Sequence, residues 1–294
     1  MTGSPAGAAF LAPPEPAPGL ALWGSSSMAS GLGHEGTPLP IRFHEQLGAA
    51  FWSAPVESFA LGGTTSWHTA LQRAVLTPLA TPEAEGPGPV VVALDPYLPP
   101  RPGLEIPGTI GPVVGTLDCA LGAFRFTPAD PAAIVQEGTF TSSLGARTRT
   151  WRHVVWTGKN NILETDTVLA HIRALRAAVA GPTGDTLVLG PWATPADGTG
   201  SARGEAMAAL REALAAECGD RFLDVGAALR DPASLAIAPL AAAGIPEDPG
   251  TRSALADATT PPLLVGSDGT HLNGWGNLLV LDALQRRMQE VGWL

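Results

Sequence analysis

The feature that most constrains this chain is an alternation of short apolar runs with longer segments whose apolar residues recur at helical spacing. Residues 19–23 (GLALW) read as a buried strand that leaves its sheet through Gly24 and three serines. A helix is expected over 40–51, a second strand over 56–61, and a second helix over 66–76, stopped by Pro78. Further on, Val168, Ile172, Leu175 and Val179 share one face of a helix expected over 166–179. A strand over 186–189, a helix over 205–217 marked by Met207, Leu210 and Leu214, and a strand over 222–225 follow. A helix over 273–291, with Leu281, Leu284 and Met288 facing inward, closes the chain. Strands alternating with amphipathic helices imply a parallel sheet covered on both faces. With 294 residues, one α/β domain over 19–294 can bury a full core.

Two stretches depart from this texture. Residues 1–18 are rich in Pro, Ala and Gly and are expected to form an extended arm. Between 87 and 149 the runs VVVALD, TIGPVVGTLD, GAFRFTP and GTFTSS are separated by Pro and Gly with little helical period, which predicts a small antiparallel β insertion. A formal charge of −10 argues against a nucleic-acid partner, whose phosphates call for clustered Lys and Arg. No charged and apolar leader and no run of about 18 apolar residues is present, so a soluble, cytoplasmic protein without membrane partners is expected. Cys119 and Cys218 lack metal-ligand spacing and are expected as buried thiols; no metal site or other cofactor is indicated. The oligomeric state is not legible.

The strongest chemical signal is Asp268-Gly-Thr-His271, just before the last helix. Asp and His three residues apart in a tight turn can face one side, so that the carboxylate holds one imidazole nitrogen while the other faces a nucleophile. The serines that follow the first strand offer that nucleophile, because Gly24 leaves little bulk beside Ser25, Ser26 and Ser27. Each feature alone has a plainer explanation, a loop for the serines and a helix cap for the turn. Their combination and order along the chain favour chemistry.

In this arrangement the chain resembles the SGNH hydrolases, also called GDSL esterases and lipases. Four short blocks carry the resemblance, spanning about residues 19–294: Gly24-Ser25-Ser26, Gly63 in ALGGTTSW, Gly158-Lys159-Asn160-Asn161 after HVVWT, and Asp268 to His271. The resemblance implies a three-layer α/β/α sandwich with a flavodoxin-like parallel sheet. It also implies a catalytic triad of Ser26, His271 and Asp268, with an oxyanion hole from the backbone N–H groups of Ser26 and Gly63 and the side-chain amide of Asn160. Ser25 and Asn161 stand where the family usually has acidic residues. The function implied is removal of a short, acetyl-like acyl group from a carbohydrate or small alcohol through an acyl-enzyme. The rival is a weak or inactive relative that holds a glycan or protein in the same cleft.

Other residues weigh less. Trp23, Trp67, Trp156 and Trp275 lie near the four blocks and offer flat faces for stacking on sugar rings, although packing between sheet and helices explains them more simply. Arg147, Arg149, Arg152, His153 and Lys159 form a local basic run that ordinary exposed strand faces explain as well as an anion site does. His34 and His68 lack a carboxylate at a telling spacing, and His44 and His171 fall in expected helices.

Overall fold

The structure, a computed structural model, describes residues 18–30, 41–51, 53–120, 122–181, 184–198 and 200–294. The expected N-terminal arm and His34 therefore lie outside the described residues, apart from Pro18. Strand β1 (Leu20–Gly24) leads into a single helical turn, α1 (Ser26–Ala29). Helix α2 (Phe43–Ala50), strand β2 (Val56–Ser58) and helix α3 (Ser66–Gln72) follow. The chain then enters β3 (Leu79–Pro82), β4 (Gly86–Pro87), β5 (Val90–Asp95), β6 (Glu105–Ile110), β7 (Val113–Ala120), β8 (Ala123–Pro128), β9 (Ile134–Val135) and β10 (Gly138–Ser142). After α4 (Ser143–Arg147) it returns to β11 (Arg152–Trp156), α5 (Thr165–Ala177), β12 (Asp185–Leu189), α6 (Ala202–Cys218) and β13 (Phe222–Leu223). Four short helices, α7 (Val225–Ala228), α8 (Pro232–Leu235), α9 (Ala238–Ala242) and α10 (Pro249–Ala256), precede the closing α11 (Gly274–Glu290).

These strands form two main bodies. One is a parallel five-stranded sheet in the order β13-β12-β11-β1-β2. Counting only its own strands in chain order, that is 2-1-3-4-5 read from the β2 edge. The other is a closed antiparallel barrel, β10-β3-β5-β8-β7-β6. The antiparallel texture thus begins at Leu79, eight residues before the expected 87. The strand LATP gives little sequence signal, because it holds one proline and only two apolar residues. Gly108 and Gly115 pair across β6 and β7, and the space they leave is filled by Phe140 and Phe126, which meet edge to face.

The two faces of the sheet are covered differently. Leu20, Leu22, Val154, Trp156, Leu187 and Leu189 pack against Phe43 and Leu47 of α2 and against Leu279, Val280, Leu284 and Met288 of α11. On the opposite face Val188 packs with Val168 and Ile172 of α5 and Met207, Leu210 and Leu214 of α6. Ala21, Trp23 and Val155 instead join a cluster that includes Leu71 of α3 and the barrel interior. The barrel therefore shares the second face with helices, and the fold is mixed α/β with a parallel sheet and a barrel. Each fully buried Leu or Val in these clusters contributes about 1.5–3 kcal/mol.

Several elements end earlier than their periodicity suggests. The second helix stops at Gln72, and the chain turns through Ala74 at φ +56°. The expected strand over 222–225 keeps two residues, because the Asp224 carboxylate accepts the Ala227 N–H at 2.8 Å and starts α7 instead. Cys119 and Cys218 are buried, free thiols, as expected. Among the described residues no helix is long and apolar enough to cross a membrane.

Candidate active site

The site lies at the carboxyl ends of β1 and β11. Gly24 makes the approach possible: a Cβ there would overlap the Trp156 carbonyl oxygen on the neighbouring strand. The Ser25 carbonyl then accepts the N–H groups of Met28 and Ala29, at 3.1 and 2.9 Å, which winds α1. Ser25 is buried in the turn, and Ser26 is the serine whose hydroxyl reaches His271.

His271 is held by its own loop. The Asp268 carboxylate accepts the N–H groups of Thr270 and His271 through Oδ1, at 2.9 and 3.0 Å, and meets His271 Nδ1 through Oδ2 at 2.6 Å. Gly269 supplies the positive φ, +66°, that the turn requires. Burial opposes ionisation of Asp268, but the bond from the His271 ring and the two backbone N–H groups outweigh it, holding the carboxyl well below the usual range. An ionised carboxylate at Nδ1 places the ring proton there and leaves the Nε2 lone pair facing Ser26. Ser26 Oγ lies 2.7 Å from Nε2, so its hydroxyl can donate to the ring. Just beyond, Asn273 caps α11 by accepting the Trp275 and Gly276 N–H groups, which fixes the loop against a long, packed helix.

The other expected residues gather around Ser26. A Cβ on Gly62 would stand 3.8 Å from Ser26 Cβ, and Gly63 follows at φ +77°. Neither the Ser26 nor the Gly63 backbone N–H has a hydrogen-bond acceptor among the described residues. Asn160 lies in a short 3-10 turn, Lys159–Asn161, entered through Gly158 at φ +97°. Its Nδ2 donates one hydrogen to the Thr64 carbonyl at 2.7 Å, which sets the amide against the Gly63 turn and leaves the second hydrogen for another acceptor. Asn161 faces inward: its Oδ1 accepts the Ser66 N–H at 3.1 Å, and its Nδ2 donates to Ser66 Oγ and Glu164 Oε2.

Two cations frame the site, and spacing had singled out neither role. Lys159 Nζ donates to the Thr270 carbonyl at 3.2 Å and sits 3.3 Å from the centre of the Trp192 ring. Burial lowers its amine to about 7, partly opposed by Asp197 and reinforced by Arg203, with Asp268 also opposing. Arg101 arrives from the barrel, on the loop between β5 and β6. Its Nε donates to the Gly62 carbonyl at 2.5 Å, and a Cβ on Gly63 would overlap its guanidinium. No motif marked it, because the contact joins two bodies of the fold.

The remaining candidates have structural partners. Trp23 and Trp156 are buried and offer no stacking face, and Trp67 donates to Glu164 at 2.8 Å. The basic run does not form one patch: Arg147 pairs with Glu57, Arg152 donates to the Trp293 carbonyl, and His153 is buried between Trp23 and Thr148. His68 closes a capping box at the start of α3, and His171 bonds Ser66. A cavity of about 230 Å³ opens near Asp197, Arg211, Arg230 and Thr259, but Ser26 and His271 do not line it. Among the described residues no cluster of His, Cys, Asp and Glu could hold a metal ion. In sequence the chain matches no protein-family model and no curated protein.

Proposed function

We propose that the chain is a serine ester hydrolase of the SGNH type. The observation that carries this reading is the continuous chain from Ser26 Oγ through His271 to Asp268, at 2.7 and 2.6 Å, assembled from residues 245 positions apart. In this reading His271 takes the Ser26 proton as Oγ attacks an ester carbonyl, Asp268 stabilises the imidazolium, and the same imidazolium then protonates the departing alcohol. The negative oxygen of the tetrahedral intermediate is received by the Ser26 and Gly63 N–H groups and the free Asn160 amide hydrogen. Such donors act on charge that appears only in the transition state, each contributing on the order of 3 kcal/mol. Water, activated by His271, releases the acyl group.

The proposed fold is the three-layer sandwich with a flavodoxin-like sheet, supported by the 2-1-3-4-5 order and modified by the barrel on one face. In such sheets the connections reverse between strands one and three, here β1 and β11, and ligands enter the crevice at their carboxyl ends. Ser26 and Asn160 flank that crevice. The substrate we propose is a short acyl ester of a carbohydrate or small alcohol.

A fluorophosphonate probe followed by peptide mapping tests the reading. We expect covalent labelling at Ser26, abolished in Ser26→Ala. In Asp268→Asn the amide favours the wrong imidazole tautomer, so labelling and turnover of aryl acetates should fall by on the order of 10⁴ with the fold intact. Labelling at another residue, or none, sinks the proposal.

A further inference from the structure

Arg101 reaches the site on a loop that other side chains hold in place. The loop over 96–104 is pinned to the main domain at three points. His68 accepts the Thr65 N–H at Nδ1, at 3.1 Å, and its Nε2 donates to the Pro99 carbonyl at 2.9 Å. Leu98 and Leu104 are buried in the cluster that joins the barrel to the sheet. Arg101 then bonds Gly62, the residue beside Ser26 Cβ.

That bond uses one of the five N–H donors a guanidinium carries. The rest have no acceptor among the described residues, and no carboxylate pairs with Arg101 there, although the chain holds 27 acidic residues against 17 basic ones. Most described arginines do have an acid: Arg147 has Glu57, Arg203 has Asp197 and Arg221 has Asp185. The guanidinium is half-buried, and its planar fork suits a carboxylate or phosphate.

We propose that Arg101 is an anion-recognition residue of this site, and that its substrates are esters carrying a carboxylate or phosphate near the scissile carbonyl. This rests on the hydrolase reading of Ser26 and adds to it a charge class for the substrate. It also gives the barrel a role, since the barrel delivers the recognising group to a catalytic centre built on the sheet.

Matched ester pairs that differ only in charge provide the test. 4-Nitrophenyl hemisuccinate and its methyl ester place the carboxylate on the acyl side. 4-Acetoxybenzoate and its methyl ester place it on the alcohol side, and 4-acetoxyphenyl phosphate supplies the phosphate arm. The wild type should prefer at least one anionic member by about tenfold in kcat/KM, and this preference should shrink as salt is added. Arg101→Gln should erase the preference, costing the anionic member about tenfold more than its neutral partner whatever both lose through the Gly62 turn, and Arg101→Lys should retain part of the preference. Equal rates within every pair, or an equal loss on both members in Arg101→Gln, would overturn the proposal and leave Arg101 as a brace for the Gly62 turn.

Failure of the hydrolase reading would look different: no ester would turn over and Ser26 would not label. Calorimetric titration with succinate, 4-hydroxybenzoate and phenyl phosphate then decides the matter alone. Binding to the wild type that Arg101→Gln abolishes supports the proposal, and absence of binding to the wild type refutes it.

Discussion

The Asn161 side chain holds the first amide of a helix: its Oδ1 accepts the Ser66 N–H at 3.1 Å, and through it the turn after β11 is tied to the start of α3. The same side chain donates from Nδ2 to Ser66 Oγ at 3.0 Å and to Glu164 Oε2 at 3.2 Å. An amide suits this position because one end must accept and the other must donate.

Asn161→Asp keeps the acceptor for the Ser66 N–H but turns the donating end into a second carboxylate oxygen facing Glu164. The variant should lose about 1–3 kcal/mol of stability at pH 7. Part of that loss should return as the pH falls and the new carboxyl takes up a proton. Urea denaturation at pH 7 and pH 4.5 measures both effects. Unchanged stability at pH 7 would mean that the Glu164 contact carries no weight.

His153 lies on β11 beside β1, in a buried layer with Trp23 and Arg73. Trp23 Nε1 donates to His153 Nδ1 at 2.9 Å, and His153 Nε2 donates to the Thr148 carbonyl at 2.9 Å, an arrangement that requires the neutral ring. Burial, aided by the Arg73 charge and opposed by the Thr148 carbonyl, lowers its pKa to about 3. Between about pH 6.5 and pH 3 the unfolded chain therefore binds a proton that the folded chain does not, and this contribution to stability is lost as the pH falls across that window. His153→Phe leaves the Trp23 N–H without its acceptor and should cost about 1–3 kcal/mol at pH 7. The gap to the wild type should narrow toward pH 4, because only the wild type must keep an imidazole neutral. A gap that stays constant in denaturation curves at pH 7, 5 and 4 would contradict this account.

What could be read in advance divides along physical lines. β1, the serine turn and the Asp268–His271 turn are local: a run of apolar residues, a glycine where no Cβ fits, and two side chains three positions apart. The barrel was legible as antiparallel texture, but its first strand was not, because LATP has no alternation of its own and becomes a strand by pairing with β5 and β10. Arg101 carried no signal at all, since its meaning depends on a loop of the barrel docking beside Gly62. The same holds for Trp192, which no spacing connects to Lys159. The four helices between 225 and 256 are short, and three of them start at an Asp side chain, Asp224, Asp231 or Asp248, that caps the first turn, so they leave little periodicity to detect.

Lys159 links the Asn160 turn to the loop that carries Asp268 and His271, through its bond to the Thr270 carbonyl. Burial of the ammonium, only partly relieved by Asp197 and Asp268, brings its pKa down to about 7, against about 10.4 in an unfolded chain. Between those values the unfolded chain binds the extra proton, so stability rises with pH across the window, and the cost of burying the charge is fully felt below pH 7. Lys159→Met removes this titration while keeping an apolar stem over Trp192. Relative to the variant, the wild type should therefore gain stability from pH 7 to pH 10, and the variant should show the flatter profile. Guanidinium denaturation of both proteins at pH 6, 8 and 10 reads the difference directly. Parallel profiles would show that Lys159 keeps its proton throughout and that contact with Trp192 and Thr270 offsets its burial.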